Sequence, residues 1–133
     1  MHTRHDIGVA AQIGRYSDAV EVGGPARWLA LSGTPGMLPD GTLPDSFEAQ
    51  AEQAWANVLR ALASAGMDVG HLVKITQYLL RPEDIRAYGA IRARFLGEAR
   101  PASTLVVVPA LVWPDMLIEI EAWAADTAPP GRA

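Results

Sequence analysis

Two carboxylates, Glu119 and Glu121, stand two residues apart in the alternating run from Met116 to Ala125, so they leave the same face of a strand. On spacing alone, a solvated strand face is the simpler reading of that pair. His2, His5 and Asp6 are metal-ligand types, but they sit in a polar chain end and read as a tail. His71 lies in a turn before a strand and reads as exposed. The chain has no cysteine, which removes disulfides, thiolate nucleophiles and thiolate metal sites. No Ser-His-Asp arrangement, phosphate loop or dinucleotide fingerprint occurs. The strongest local candidate is a loop. Gly33 through Pro44 holds three glycines, three prolines and an Asp40-Gly41 pair, and long loops on a rigid frame carry function.

The elements that position these residues follow from periodicity. Ala19-Val20-Glu21-Val22 alternates and stops at Gly23-Gly24-Pro25, and Trp28 to Ser32 reads as the return strand of a hairpin. Asp45 with Glu48 three residues on is an acidic capping-box pattern. Phe47, Ala51, Trp55, Val58, Leu62 and Ala65 then recur at helical spacing, with Glu48, Glu52, Gln53, Asn57, Arg60 and Ser64 on other faces, and Gly66 closes the helix. Leu72 to Leu80 reads as a strand. Pro82 opens a second helix with Glu83 and Asp84 in its first turn, where the dipole favours acids. Its buried stripe is Ile85, Tyr88, Ile91 and Phe95, with Arg86 and Arg94 off it. Gly89 inside that helix costs about 1 kcal/mol relative to alanine, so a close backbone approach is expected there. Thr104 to Val108 is an apolar run of the kind covered on both faces. In the last strand Ile118, Ile120 and Ala122 take one side; Glu119, Glu121 and Trp123 take the other.

The order ββαβαββ predicts an α+β architecture, a mixed sheet with two helices on one face. Its other face then needs cover, which an oligomer supplies. The 133 residues suit one domain over 1–133, with loose ends at about 1–8 and 126–133. A net charge of −4 argues against binding a phosphate backbone. No apolar run approaches the roughly 20 residues that span a bilayer, and the first six residues have no signal-peptide hydrophobic stretch. A cytoplasmic protein is the expectation. Tyr78, Tyr88 and Trp113 read as core or interface aromatics.

Several segments, in register from residue 13 to about 125, resemble the Rid/YjgF family of imine and enamine deaminases. Ile13-Gly14-Arg15-Tyr16-Ser17-Asp18-Ala19-Val20 is similar to its opening segment, and Leu31-Ser32-Gly33-Thr34-Pro35 to its Ser-Gly loop. Gln50 through Gly66, with Asn57 and Ala65-Gly66, resembles its first helix. Val73-Lys74-Ile75-Thr76, Arg100-Pro101-Ala102-Ser103-Thr104 and Ile118-Glu119-Ile120-Glu121-Ala122 complete the match. The resemblance implies a chorismate-mutase-like subunit, a homotrimer with ligand sites in clefts between subunits, and no metal or organic cofactor.

It also implies a small 2-enamino or 2-imino acid substrate, such as 2-aminoacrylate, hydrolysed to a keto acid and ammonia. Tyr16 matches a site position that donates a hydrogen bond or walls the pocket, and Glu119 one that orients water or accepts a proton. Ser32, Gly33 and Thr34 match the binding loop. Two positions depart: Ser103 stands where the family has its carboxylate-binding arginine, and Gly89 where the second helix often has asparagine. A serine hydroxyl cannot neutralise a carboxylate, and losing such a pair costs on the order of 2–5 kcal/mol, so ordinary 2-imino acids are expected to be poor substrates. Arg15, Arg92 and Arg100 are candidate replacements, each with a solvated arginine as its plain alternative. A non-catalytic metabolite-binding or regulatory trimer is the second reading. A ribonuclease or translation inhibitor finds little support in the charge.

Overall fold

The structure is a computed structural model that describes residues 2–127. Its strands and helices run β1 (His2–His5), β2 (Ala19–Val22), β3 (Arg27–Pro35), α1 (Phe47–Ser64), β4 (Leu72–Leu79), α2 (Ile85–Leu96), β5 (Ala102–Val107) and β6 (Ile118–Asp126). β3, β6, β4 and β5 form one sheet in that spatial order. β4 and β5 are parallel, and the other neighbours antiparallel. A parallel pair needs a crossover, which α2 supplies between β4 and β5. α1 packs on β3 and β6, and α2 packs against α1. The expected α+β architecture, two helices on a mixed sheet, is therefore present.

The core lies between helices and sheet. Phe47, Ala51, Trp55, Val58 and Leu62 bury one stripe of α1 against Ile75, Leu79, Ile118 and Ile120. Each such aliphatic side chain contributes roughly 1.5–3 kcal/mol on burial. Trp55 stacks on Phe95 of α2 at a 6.2 Å centroid separation. α1 ends where the periodicity predicts, with Gly66 at φ +72°. Two polar side chains staple the core to its loops. Gln50 Nε2 donates to the Pro44 and Asp115 carbonyls while its oxygen accepts from Leu117 N. Asn57 donates to the Pro35 and Met37 carbonyls.

Several expectations are corrected. Residues 2–5 are not a loose end: β1 pairs antiparallel with β2, from His2 opposite Val22 to His5 opposite Ala19. Four polar residues gave no alternation to detect, but backbone pairing does not require it. The element order gains this strand. β2 and β3 form no hairpin, because β2 pairs with β1 and β3 with β6. The α1 cap is Ser46, which accepts from Ala49 N at 3.1 Å, not Asp45. Asp68 and His71 instead form a reciprocal cap on a 3-10 turn, Val69–His71, so His71 is half-buried rather than exposed. Ile85 is exposed at the start of α2. No backbone crowds Gly89: a Cβ there meets nothing within 4 Å. β5 is a sheet edge with Val106 and Val107 exposed, not a strand covered on both faces within one chain. Of the expected loose tail, residues 128–133 lie outside the described residues, and Asp126 ends β6.

Candidate functional site

The residues singled out by sequence fall into two clusters on opposite sides of the sheet. The first stands where β3 meets β6. Between Leu31 and Thr34 the register slips, so Ser32 and Gly33 bulge out against β6. The Glu119 side chain lies across Gly33, where a Cβ would fall within 2.7 Å of Glu119 Cδ. Glycine there lets the carboxylate lie against the backbone; a side chain would make it move. Thr34 Oγ1 donates to the Ser32 carbonyl at 2.9 Å, which fixes the bulge. Glu119 alternates with fully buried Ile118 and Ile120, so it faces away from the helices. On the same open face the Tyr78 hydroxyl donates to Glu121. That bond, with the charges of Glu121 and Glu119, holds the Tyr78 phenol above its ordinary pKa.

The second cluster lies at the other edge, under α2. The segment carrying Arg15 and Tyr16 is laid along the start of β5. Ser17 bridges Ala102, its N–H donates to the Pro101 carbonyl at 3.3 Å, and its hydroxyl donates to the Arg100 carbonyl. Asp18 anchors the segment from behind, accepting from the Ile7 and Ala10 N–H groups at 2.8 Å each. Those donors stabilise the carboxylate and lower its pKa. A Cβ on Gly14 would be 3.5 Å from the Tyr16 ring and 3.7 Å from Arg92 Nη2, so Tyr16 and Arg92 flank one point.

The second cluster rests on a buried polar relay that the motifs did not reveal. Gln77, fully buried on β4, donates to Ser103 Oγ at 3.0 Å and to the Thr104 carbonyl at 2.8 Å. Its oxygen accepts from the Tyr88 hydroxyl at 2.6 Å and from Arg92 Nη1 at 3.3 Å. Burial drives the Tyr88 phenol far above its ordinary pKa, only partly opposed by the Trp55 indole N–H and the Arg92 cation. The Trp55 N–H has no hydrogen-bond partner of standard geometry. Ser103 Oγ is thus used as an acceptor on the helix-covered side. A glutamine inside the apolar run Leu72–Leu79 was the available signal, because a buried polar side chain needs partners.

The structure therefore joins Ser32, Gly33, Thr34 and Glu119 in one place. It joins Arg15, Gly89, Arg92 and Arg100 around one pocket, with Tyr16 and Ser103 adjoining. Within one chain the two sets do not meet. Of the tail residues, His2 Nε2 meets the Ala125 carbonyl at 3.0 Å and His5 pairs with Glu21 at 2.8 Å. Among the described residues no cluster of three or more acids or histidines could hold a metal ion. No described helix is long and apolar enough to cross a membrane.

Known proteins match this chain in sequence and in fold. The family profile described as Endoribonuclease L-PSP matches residues 8–126. A RutC family protein of Pyrococcus horikoshii is 32% identical over 115 residues, 84% of this chain and 87% of that protein. The Escherichia coli K12 protein named 2-iminobutanoate/2-iminopropanoate deaminase is 34% identical over 118 residues, 86% and 89% of the two chains. Among solved structures, the Rid-family protein YyfB of Yersinia pestis superposes with a TM-score of 0.81 at 30% identity, covering 92% of this chain and 97% of that one. Escherichia coli TdcF, solved with bound serine, gives 0.71 at 28% identity, covering 86% and 91%. Matched along nearly its whole described length in both sequence and chorismate-mutase-like fold, the chain belongs to the Rid/YjgF (L-PSP endoribonuclease-like) family.

Proposed function

We propose that this protein hydrolyses a small imine or enamine to a carbonyl compound and ammonia, in clefts between the subunits of a homotrimer. The observation that carries this reading is the Glu119 carboxylate lying over Gly33 at the β3 bulge, in space that a side chain at position 33 would take from it. There it takes a proton from water as the oxygen adds to the C=N carbon and passes it to nitrogen, giving a carbinolamine. It then carries the carbinolamine hydroxyl proton to the same nitrogen as the C–N bond breaks, the carbonyl forms and ammonia leaves. Tyr16 walls the cleft or donates a hydrogen bond. The chemistry needs neither a metal nor an organic cofactor. The relative named as an imine deaminase and the neighbour with bound serine support a substrate of this size and polarity.

Assembly follows from the two separated clusters. Glu119 and Ser103 lie on opposite faces of one sheet, so a complete cleft draws one cluster from each of two copies. The open face also carries Trp28 and Trp123, about half exposed and packed edge-to-face at 6.3 Å, and exposed Val106 on β5 at the opposite edge. Covering these apolar groups favours a closed oligomer.

Imines generated in situ by an amino-acid oxidase from a panel of amino acids test the reaction. The expected result is acceleration over spontaneous hydrolysis on at least one imine, reduced about 100-fold or more by Glu119→Gln. No acceleration anywhere on the panel, or full activity in Glu119→Gln, refutes it. A non-catalytic metabolite-binding trimer is the second reading. It is favoured by one observation: Gln77 already engages Ser103 Oγ, so nothing at position 103 neutralises a substrate carboxylate.

A further inference from the structure

The three arginines that line one pocket beneath α2 have no acid among its walls. Arg15, Arg92 and Arg100 surround a cavity of about 200 Å³, with Gly14 and Gly89 giving it room. Among the described residues no acidic side chain lines it. Elsewhere the arginines with ion pairs are Arg27 with Asp126, Arg81 with Asp84 and Arg94 with Glu52. None of the pocket's three is in such a pair. Arg15 makes no hydrogen bond within the described chain. Arg92 spends Nη1 on Gln77 and lies over the Tyr88 ring at 5.5 Å, leaving Nη2 toward Gly14. Arg100 spends Nη1 on the Gly97 and Ala99 carbonyls, at 2.8 and 2.9 Å. Two of the three guanidinium groups are thus oriented by the fold, yet each keeps free donors. Like charges gathered in one pocket repel, and a bound anion relieves that repulsion.

We propose that this pocket binds a small dicarboxylate, and that the substrate is an imine carrying two carboxylates. Three cations exceed what one carboxylate can balance, and guanidinium meets carboxylate in two-point contacts. The volume, roughly seven waters at ~30 Å³ each, matches a four-carbon diacid. Arg92 is the central anchor, because Gln77 ties it to Ser103 at the position that lacks a cation. The identification of the ligand as a substrate rests on the proposed reaction. The identification of the ligand as a dicarboxylate rests on the pocket alone.

Calorimetric titration with succinate, and with butyrate as the singly charged match, tests the pocket without any turnover. Succinate is expected to bind at least tenfold more tightly than butyrate. Arg92→Met is expected to weaken succinate at least tenfold, and Arg15→Met to weaken it too. Arg15 is exposed and unpartnered, so its loss leaves the fold intact and guards against a misfolded Arg92 variant. Gly89→Glu is expected to abolish succinate binding while folding normally, since its Cβ meets no neighbour and its carboxylate sits one helical turn from Arg92. Equal binding of the two acids, or succinate affinity unchanged in all three variants, overturns the proposal. Binding that passes these tests without hydrolysis of any imine upholds the pocket and refutes the reaction. Hydrolysis without succinate binding does the reverse.

Discussion

Replacing Gln77 by methionine keeps the volume of a fully buried side chain and removes all four of its hydrogen bonds. The largest consequence falls on Tyr88, which is fully buried and loses the acceptor of its hydroxyl. An orphaned buried donor costs about 1–3 kcal/mol. The bonds to Ser103 and the Thr104 carbonyl add about 1 kcal/mol each, less whatever water recovers at half-buried Ser103. The 3.3 Å bond to half-exposed Arg92 adds little. The expected total is about 3 kcal/mol, a large fraction of a typical domain's stability. Urea unfolding at fixed protein concentration reads it as a lower midpoint with unchanged slope. Tyr88→Phe in the Gln77→Met background removes the orphan. It is expected to restore about 1–2 kcal/mol, although the same change is destabilising in the wild type. A loss below about 1 kcal/mol for Gln77→Met, or two additive single effects, would refute the relay as a coupled unit.

Further outcomes follow from single sites. Gly33→Ala pushes its Cβ into the Glu119 carboxylate, so imine hydrolysis is expected to fall at least tenfold, while the melting temperature barely moves because Gly33 is exposed and the carboxylate can swing away. The lowered pKa of Asp18 contributes order above the unfolded value near 4 and loses it as pH falls through the folded value. Protection of the Ile7 and Ala10 amides, taken as exchange relative to the intrinsic rate at each pH, should therefore fall as the solution is acidified below that point, and Asp18→Asn should lower it at neutral pH. The raised pKa of Tyr78 works in the opposite window: its contribution is present below the unfolded value near 10 and disappears as pH rises through the folded value. Ultraviolet titration should find both Tyr78 and Tyr88 above the free phenol, and Glu121→Gln should bring Tyr78 down.

The α+β plan was legible in the residues because it is written in local periodicity, and the family because short segments, in order along the chain, resemble its motifs. The stripe from Phe47 to Leu62, the alternation of Ile118 and Ile120 with Glu119, and the proline opening α2 each depend on neighbours within one or two turns. Glu119 and the Ser32 to Thr34 loop were found through segment order. The capping error at Asp45 was one residue wide, since Ser46 and Asp45 present equally suitable oxygens and only the path of the chain chooses between them.

What the chain could not announce locally depends on contacts between distant residues. The pairing of β1 with β2, the meeting of Arg15 with Arg92 and Arg100, and the engagement of Ser103 by Gln77 join positions far apart in the chain. No short-range pattern encodes these meetings, because packing chooses them after the elements have formed. The amino-acid order alone determined both helices, the strands of the main sheet and the family. Only the folded chain decided that Ser103 accepts a hydrogen bond beneath a helix while Glu119 faces the other side of the sheet. Side-chain direction across a pleated strand is set by register, and register is a property of the assembled sheet.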